Sequence, residues 1–267
     1  MTEVRTSSAA DVSLERRGPV VILTMTNPGK RNAFSPASRK KLMTHLEELA
    51  GESEVRAIIL TGEGEHFCVG ADLTPTPGVL PQTAMGVREN TKGLHRLMRA
   101  IAAGPKPVIA AVEGDAFGGG LAFAAACDIL VAARTARFGV AFSAIGLMPD
   151  LGLLWSLPQR VGMVKARTMM MLSSRLNGEE AHRVGLADEV CEKGQALERA
   201  LTWAEKFLEV APISVAMTKE ALARGVTSLE DATRAEIDLL PFMFTTEDRK
   251  EGTAAFREKR KPKFTGR

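Results

Sequence analysis

The chain has 267 residues, of which 45% are apolar and 25% charged, with a formal net charge of +3. These values suit one large folded domain, or a domain with a small appendage, and exclude wholesale disorder. The charge is spread along the chain except for a basic tail at 257–263, so nothing marks a nucleic-acid or membrane partner.

Residues 1–12 are small and polar, without periodicity, and read as a frayed start. The β-branched run 20–25 ends at Asn27-Pro28-Gly29, the pattern of a strand entering a turn. Ser35-Pro36 supplies an N-cap and a first-turn proline; Leu42, Leu46 and Leu49 follow on one helical face, and Gly51 stops the helix. Residues 55–61 are the next strand, leading into the turn Gly62-Glu63-Gly64. A second cycle repeats this rhythm. Leu94, Met98 and Ile101 have helical spacing, Gly104-Pro105 breaks the helix, and 108–112 is a buried strand. Residues 114–120 read as a loop, 121–127 as a buried alanine-rich helix and 128–132 as a strand. Alternating strands and helices define an α/β protein. From about Gly178 the pattern is mostly helical, with helices expected at 196–208, 214–223 and 229–240.

Cys68, Cys127 and Cys191 are widely spaced, leave one unpaired in any disulfide scheme and read as buried free thiols. Nothing among the cysteines has metal-ligand spacing, and His45, His95 and His182 lack companion ligands, so no metal is expected. Without a signal-peptide pattern or an apolar run of bilayer length, the expected location is the cytoplasm.

Two glycine-rich turns carry the chemical signal. The first reads Phe67-Cys68-Val69-Gly70-Ala71-Asp72-Leu73, and the second Gly114-Asp115-Ala116-Phe117-Gly118-Gly119-Gly120, leading into the alanine-rich helix. Consecutive glycines let backbone approach a ligand closely, and the first N–H groups of a helix have no partner within it. Such groups, together with the helix dipole, favour developing negative charge. The spacing is not that of a dinucleotide fingerprint.

The two turns, with Cys127-Asp128-Ile129, closely resemble the crotonase (enoyl-CoA hydratase/isomerase) superfamily. The resemblance extends upstream to Asn27-Pro28-x-Lys30-Arg31-Asn32-Ala33-Phe34. Downstream it runs through Phe138-Gly139, Gly146-Leu147-x-Pro149, Ala181-x-x-x-Gly185-Leu186 and the stretch from Glu251 to Arg260. It implies a spiral of ββα turns over 13–195, and a helical C-terminal region over 196–267 that assembles homotrimers, often paired into hexamers. It also implies an acyl-CoA thioester as partner, with coenzyme A entering as part of the substrate and not as a separate cofactor. By motif position, the backbone N–H groups of Ala71 and Gly119 form an oxyanion hole for the thioester oxygen. Coenzyme A is expected along Lys30, Arg31 and Ala33 and the turn that holds Cys68, Gly70 and Asp72. The basic tail is either a further phosphate contact or a solvated segment. Asp72 is expected to fix its turn through local backbone bonds.

The hydratases of the superfamily carry two glutamates. One lies three residues after the middle glycine of the triplet and the other four residues after the phenylalanine of Phe-Gly. Here those positions are Ala122 and Phe142. Asp150, eight residues beyond Phe142, occupies the slot of a catalytic aspartate in dienoyl-CoA isomerases and in the ring-epoxide isomerase of phenylacetyl-CoA breakdown. The stretch from Ile145 to Trp155 resembles the latter. Asp150 thus reads as an acid/base, with helix capping as the alternative. Burial against Phe142, Leu147 and Trp155 would raise its pKa, and Trp155 would shape the acyl pocket. The expected function is double-bond isomerisation, enoyl or ring-type. Its rivals are a non-catalytic acyl-CoA binder and a hydratase that uses Glu113 or Asp115. Those two acids otherwise read as solvated loop positions, and His66 has no assigned role. Met163, Met169, Met170 and Met171 read as core packing, with an acyl-chain wall as the alternative. Variable walls of the pocket are expected from 74–87.

Overall fold

The computed structural model describes residues 11–74 and 83–267. Most of the expected frayed start and much of the 74–87 loop lie outside these residues. Asp11 and Val12, however, open a strand, with Val12 buried in the core.

β1 (Asp11–Arg17) and β2 (Val20–Thr26) form an antiparallel hairpin. The chain then turns through 27–34 into α1 (Pro36–Gly51), where the Ser35 hydroxyl accepts from the Ser38 N–H in a capping box. β3 (Ala57–Gly62) follows, and α2 (Ala84–Ala103) leads to β4 (Val108–Val112). The expected loop at 114–120 is instead a short strand, β5 (Asp115–Phe117), and the start of α3 (Gly119–Ala126). β6 (Ile129–Ala133) and β7 (Arg137–Gly139) come next, then α4 (Leu153–Leu172), β8 (Arg175–Asn177), α5 (Gly178–Arg183) and β9 (Glu189–Cys191). Four helices complete the chain: α6 (Ala196–Leu208), α7 (Pro212–Ala223), α8 (Leu229–Phe244) and α9 (Glu247–Glu258).

The main sheet has six strands in the order β1-β2-β3-β4-β6-β9, parallel from β2 onwards. Its strands are β-branched and alanine-rich because both faces are covered. Val21, Leu23, Ile58, Leu60, Ala110 and Leu130 face α1, α2 and α3 in the main core. The alternate residues, Val20, Ile22, Ile59, Ile109 and Val131, face Ala196, Ala200 and Ala204 of α6. That period of two assigns neighbouring residues to different cores. Each fully buried leucine, such as Leu42 or Leu49, contributes on the order of 2 kcal/mol. α6 therefore closes the second face of the sheet, although it opens the C-terminal 196–267 segment.

A second, three-stranded sheet, β5-β7-β8, stands apart from the first. Isolated bridges between Cys68 and Ala116 and between Phe34 and Ala71 extend it. These bridges bring the 27–34 loop and both glycine turns to one place.

The expected methionine core is only partly present. Ala166 and Met169 are buried and Met170 packs against the core, whereas Met163 and Met171 are exposed, because only one face of the second half of α4 meets the core. Among the described residues, no helix is long and apolar enough to cross a membrane.

Candidate active site

The first glycine turn runs beside the second as a strand would. The Cys68 N–H donates to the Asp115 carbonyl at 2.9 Å, and the Phe117 N–H donates to the Cys68 carbonyl at 3.0 Å. On its other side, the Phe34 N–H donates to the Gly70 carbonyl and the Asp72 N–H to the Phe34 carbonyl, both at 2.9 Å. Strand alternation thus uses the peptide groups on either side of Ala71 and leaves its own N–H turned away. The first helical bond of α3 runs from the Ala122 N–H to the Gly118 carbonyl, so the Gly119 N–H precedes the ladder. Among the described residues, neither the Ala71 nor the Gly119 N–H donates to another protein group.

Glycine is required where the turns meet. Gly70 has φ +96°, and a Cβ there would lie 3.0 Å from the Gly119 nitrogen. A Cβ on Gly119 would sit 2.7 Å from the Phe34 ring and 2.8 Å from Leu151 Cδ1. The two turns therefore pack closely, and Gly119 sits among apolar side chains at the positive end of a wholly buried helix. Phe34 packs on Phe123 with ring centroids 5.1 Å apart, and Ala122 and Phe142 are both buried. Burial pushes the Cys68 thiol up to about 12, so Cys68 contributes backbone and packing but no nucleophile.

Asp150 immediately precedes Leu151, whose Cδ1 approaches Gly119. Leu151 and Gly152 both take positive φ, 51° and 69°, which makes a tight turn that points Leu151 at Gly119. Holding a leucine in this conformation costs on the order of 1 kcal/mol. Gly152 is the N-cap of α4, and no side chain caps that helix, so the capping role considered for Asp150 is not the one observed. Its Oδ1 is instead buried without a hydrogen-bond partner among the described residues. Burial raises the Asp150 pKa, while a bond from its own backbone N–H, and then His95 and Arg39, oppose the rise. The expected enclosure is only partly present: Phe142 is buried, but Leu147 and Trp155 are exposed, since the turns at Gly146 and Gly152 carry them to the surface.

A groove of about 420 Å³ is lined by Lys30, Arg31, Ala33, Ala71, Arg137 and Arg175, among others. Lys30 Nζ lies 2.7 Å from Asp72 Oδ2, and this contact takes the Asp72 carboxyl down to about 2. The other Asp72 oxygen accepts the Thr74 N–H at 2.9 Å, the local turn bond expected of it.

Several residues differ from their sequence reading. Asp115 is fully buried, not solvated, and takes Arg31 and Arg137 as partners. Glu113 accepts the N–H groups of Gly194 and Ala196, both at 3.0 Å, so it too is committed to structure. His66 has a role after all, because its Nδ1 accepts the Asp115 N–H at 3.2 Å. Asn32, only a motif letter in the sequence, is the hub of the site loop. It accepts the Asn27 N–H at 2.9 Å and donates to the Glu63 and His66 carbonyls at 2.8 and 2.7 Å. Its spacing from those carbonyls carries no local signal.

Residues 15–267 match the family described as enoyl-CoA hydratase/isomerase. The chain is 35% identical to the short-chain-enoyl-CoA hydratase of Clostridium acetobutylicum, covering 94% of this chain and 96% of that one. It is 34% identical to the 1,2-epoxyphenylacetyl-CoA isomerase of Escherichia coli, covering 93% and 95%. The crystal structure of an enoyl-CoA hydratase from Bacillus anthracis superposes with a TM-score of 0.88 at 32% identity, over 96% of this chain and all of that one.

Proposed function

We propose that this chain, which belongs to the enoyl-CoA hydratase/isomerase family of the crotonase superfamily and is an acyl-CoA enzyme, works as a double-bond isomerase. The observation that carries the reading is Asp150, whose Oδ1 is buried without a hydrogen-bond partner among the described residues and whose neighbour Leu151 packs towards Gly119. The positions that hold glutamates in the superfamily's hydratases are here the buried, apolar Ala122 and Phe142.

In this reading the thioester oxygen accepts from the Ala71 and Gly119 N–H groups. The Asp150 carboxylate takes a proton from the carbon γ to the carbonyl, and the electron pair moves into a dienolate whose charge rests on that oxygen. The carboxylic acid then returns the proton to the α carbon. One carboxyl serves both transfers, and preorganised N–H donors lower the barrier by a few kcal/mol each. Lys30, Arg31 and Ala33, with the turn of Cys68, Gly70 and Asp72, hold the coenzyme A portion, and Phe142 and Trp155 shape the acyl end. The substrate brings its own coenzyme A, and the reaction needs no other cofactor and no metal.

Hydration is the second reading, favoured by the hydratase names of relatives such as the one from Clostridium acetobutylicum. It requires a second acid, and the two considered for that part are occupied: Asp115 by two guanidinium groups, Glu113 by two backbone N–H groups. The deciding assay follows ultraviolet absorption and product mass with aliphatic and aromatic enoyl-CoA substrates side by side. Isomerisation at constant mass is expected. Asp150→Asn should lower it by about 10²–10⁴-fold while acyl-CoA binding is retained. Rapid 3-hydroxyacyl-CoA formation from crotonyl-CoA overturns the isomerase reading, and binding without any turnover identifies a silent relative.

A further inference from the structure

Among the buried charges that the proton shuttle leaves unused, Asp115 is the one that lines the groove. Asp115 has no exposed side-chain surface, yet it belongs to a strand of three residues that an apolar side chain would pack as well. Its Oδ1 accepts from Arg137 Nε at 2.7 Å, and its Oδ2 accepts from an Arg137 terminal nitrogen and from an Arg31 terminal nitrogen, both at 3.0 Å. Underneath, its backbone N–H is fixed by His66 Nδ1. Taking a carboxylate wholly out of water is unfavourable unless charged partners surround it, and here both partners lie on the groove side.

The two guanidinium groups are not buried with it. Each side chain is 57% exposed, and both line the groove that also contains Ala71. Arg31 spends one terminal nitrogen on Asp115, and Arg137 spends one edge of its fork. Among the described residues, the remaining N–H groups of both have no protein partner. Arg175, held over the Phe117 ring at 5.3 Å, adds another cation to the same groove. Lys30 is neutralised by Asp72, so the surplus positive charge lies on the arginines.

We infer that Asp115 is a positioning residue that holds Arg31 and Arg137 as a preformed pair of donors for the phosphoryl groups of the acyl-CoA substrate. The inference rests on the acyl-CoA reading of the groove. A carboxylate beneath two arginines restricts their rotamers before the ligand arrives, so fewer degrees of freedom are lost on binding. It neutralises only one of the two charges, and planar guanidinium edges match phosphate oxygens.

The test separates the phosphate-bearing part of the substrate from the reacting part. Asp115→Asn and Arg137→Gln are compared with the wild type on a coenzyme A thioester and on the pantetheine thioester of the same acyl group, which lacks the nucleotide phosphates. For each variant, KM for the coenzyme A thioester should rise about tenfold more than KM for the pantetheine thioester. The double variant should lose less than the product of the two single losses, since both act on one pair. The wild-type preference for the coenzyme A thioester should also fall with added salt, and more steeply than that of Arg137→Gln, which has lost one of the two cations. Equal changes with both thioesters, or no change, in variants with wild-type circular dichroism overturn the inference and leave the acyl-CoA reading standing. If Asp115→Asn does not fold, Arg137→Gln decides through the same ratio, its side chain being half exposed. A wild type that binds neither free coenzyme A nor its thioesters overturns both.

Discussion

At Asp150 the requirements of chemistry and of stability point in opposite directions. In the unfolded chain this carboxyl ionises near the ordinary value of 3.8, and burial raises its pKa in the folded protein. Between those two values the unfolded state releases the proton and the folded state keeps it. Stability therefore falls as pH rises from about 4 through the folded pKa, then levels off. Activity should rise through the same folded pKa, because the base form starts the reaction. Asp150→Asn removes the titration. It should melt at higher temperature than the wild type at about pH 7, with the gap closing below the carboxylate range, while isomerisation is lost. A variant that melts lower at neutral pH would mean that the carboxylate has a partner that stabilises it. Asn32 is the opposite kind of residue, structural and fully engaged. Asn32→Ala leaves the buried Asn27 N–H and the Glu63 and His66 carbonyls without this partner, and should lower unfolding free energy by about 3 kcal/mol in denaturant titrations.

At the scale of elements, α3 is the piece on which the site depends, and its glycines show why. A Cβ on Gly120 would lie 1.9 Å from the Cys68 carbonyl oxygen, and backbone on both sides cannot yield. Gly120→Ala should give protein without near-ultraviolet circular dichroism or no soluble protein. Gly93, inside α2 with open space around it, is the contrast: Gly93→Ala should stabilise by about 0.5–1 kcal/mol. A soluble, well-ordered Gly120→Ala protein would show that the two turns are not packed as described. The same contrast explains what was legible in the sequence. α1, β4 and α6 could be read directly because their signals are local: a cap, a buried run and a 3.6 period. β7, β8 and β9 have three residues each, too few to display a period, and exist only through their pairing. α9 is mostly polar, and α4 contains Pro158 and a break at Gly162, so neither presents one clean stripe. In the candidate site, the roles proposed for Ala71, Gly119 and Asp150 come from short contiguous motifs and the family resemblance they carry. Asp115 was misread because its burial comes from the parallel register that sets it opposite Arg137, and nothing near residue 115 encodes that.

At the scale of the whole molecule, the C-terminal helices of the single chain leave many large apolar side chains uncovered. α8 is sixteen residues long and contains no buried residue, yet it exposes Leu229, Ile237, Leu240, Phe242 and Phe244. α9 adds Phe256 at 86% exposure, and the solvent face of α4 adds Val164 and Leu172. A helix of this length is marginal alone in water, and its stability in a protein comes from packing an apolar face. Exposed apolar side chains gathered along one helix are the surface an interface would cover. The homotrimer or paired hexamer that the family resemblance implies is therefore the proposed state, with these helices at the contacts between copies. Light scattering after gel filtration should give three or six times the 28.7 kDa chain mass. Placing a charge on the exposed face, as in Ile237→Asp with Phe242→Asp, should shift the population to monomers and lower the melting temperature, because a carboxylate cannot be buried there without a partner. The loss should also depend on protein concentration in the single variants, as it must when folding and association are linked. A wild-type monomer at micromolar concentration, with α8 still helical, would show that this face is tolerated in water and that the C-terminal helices do not assemble the protein.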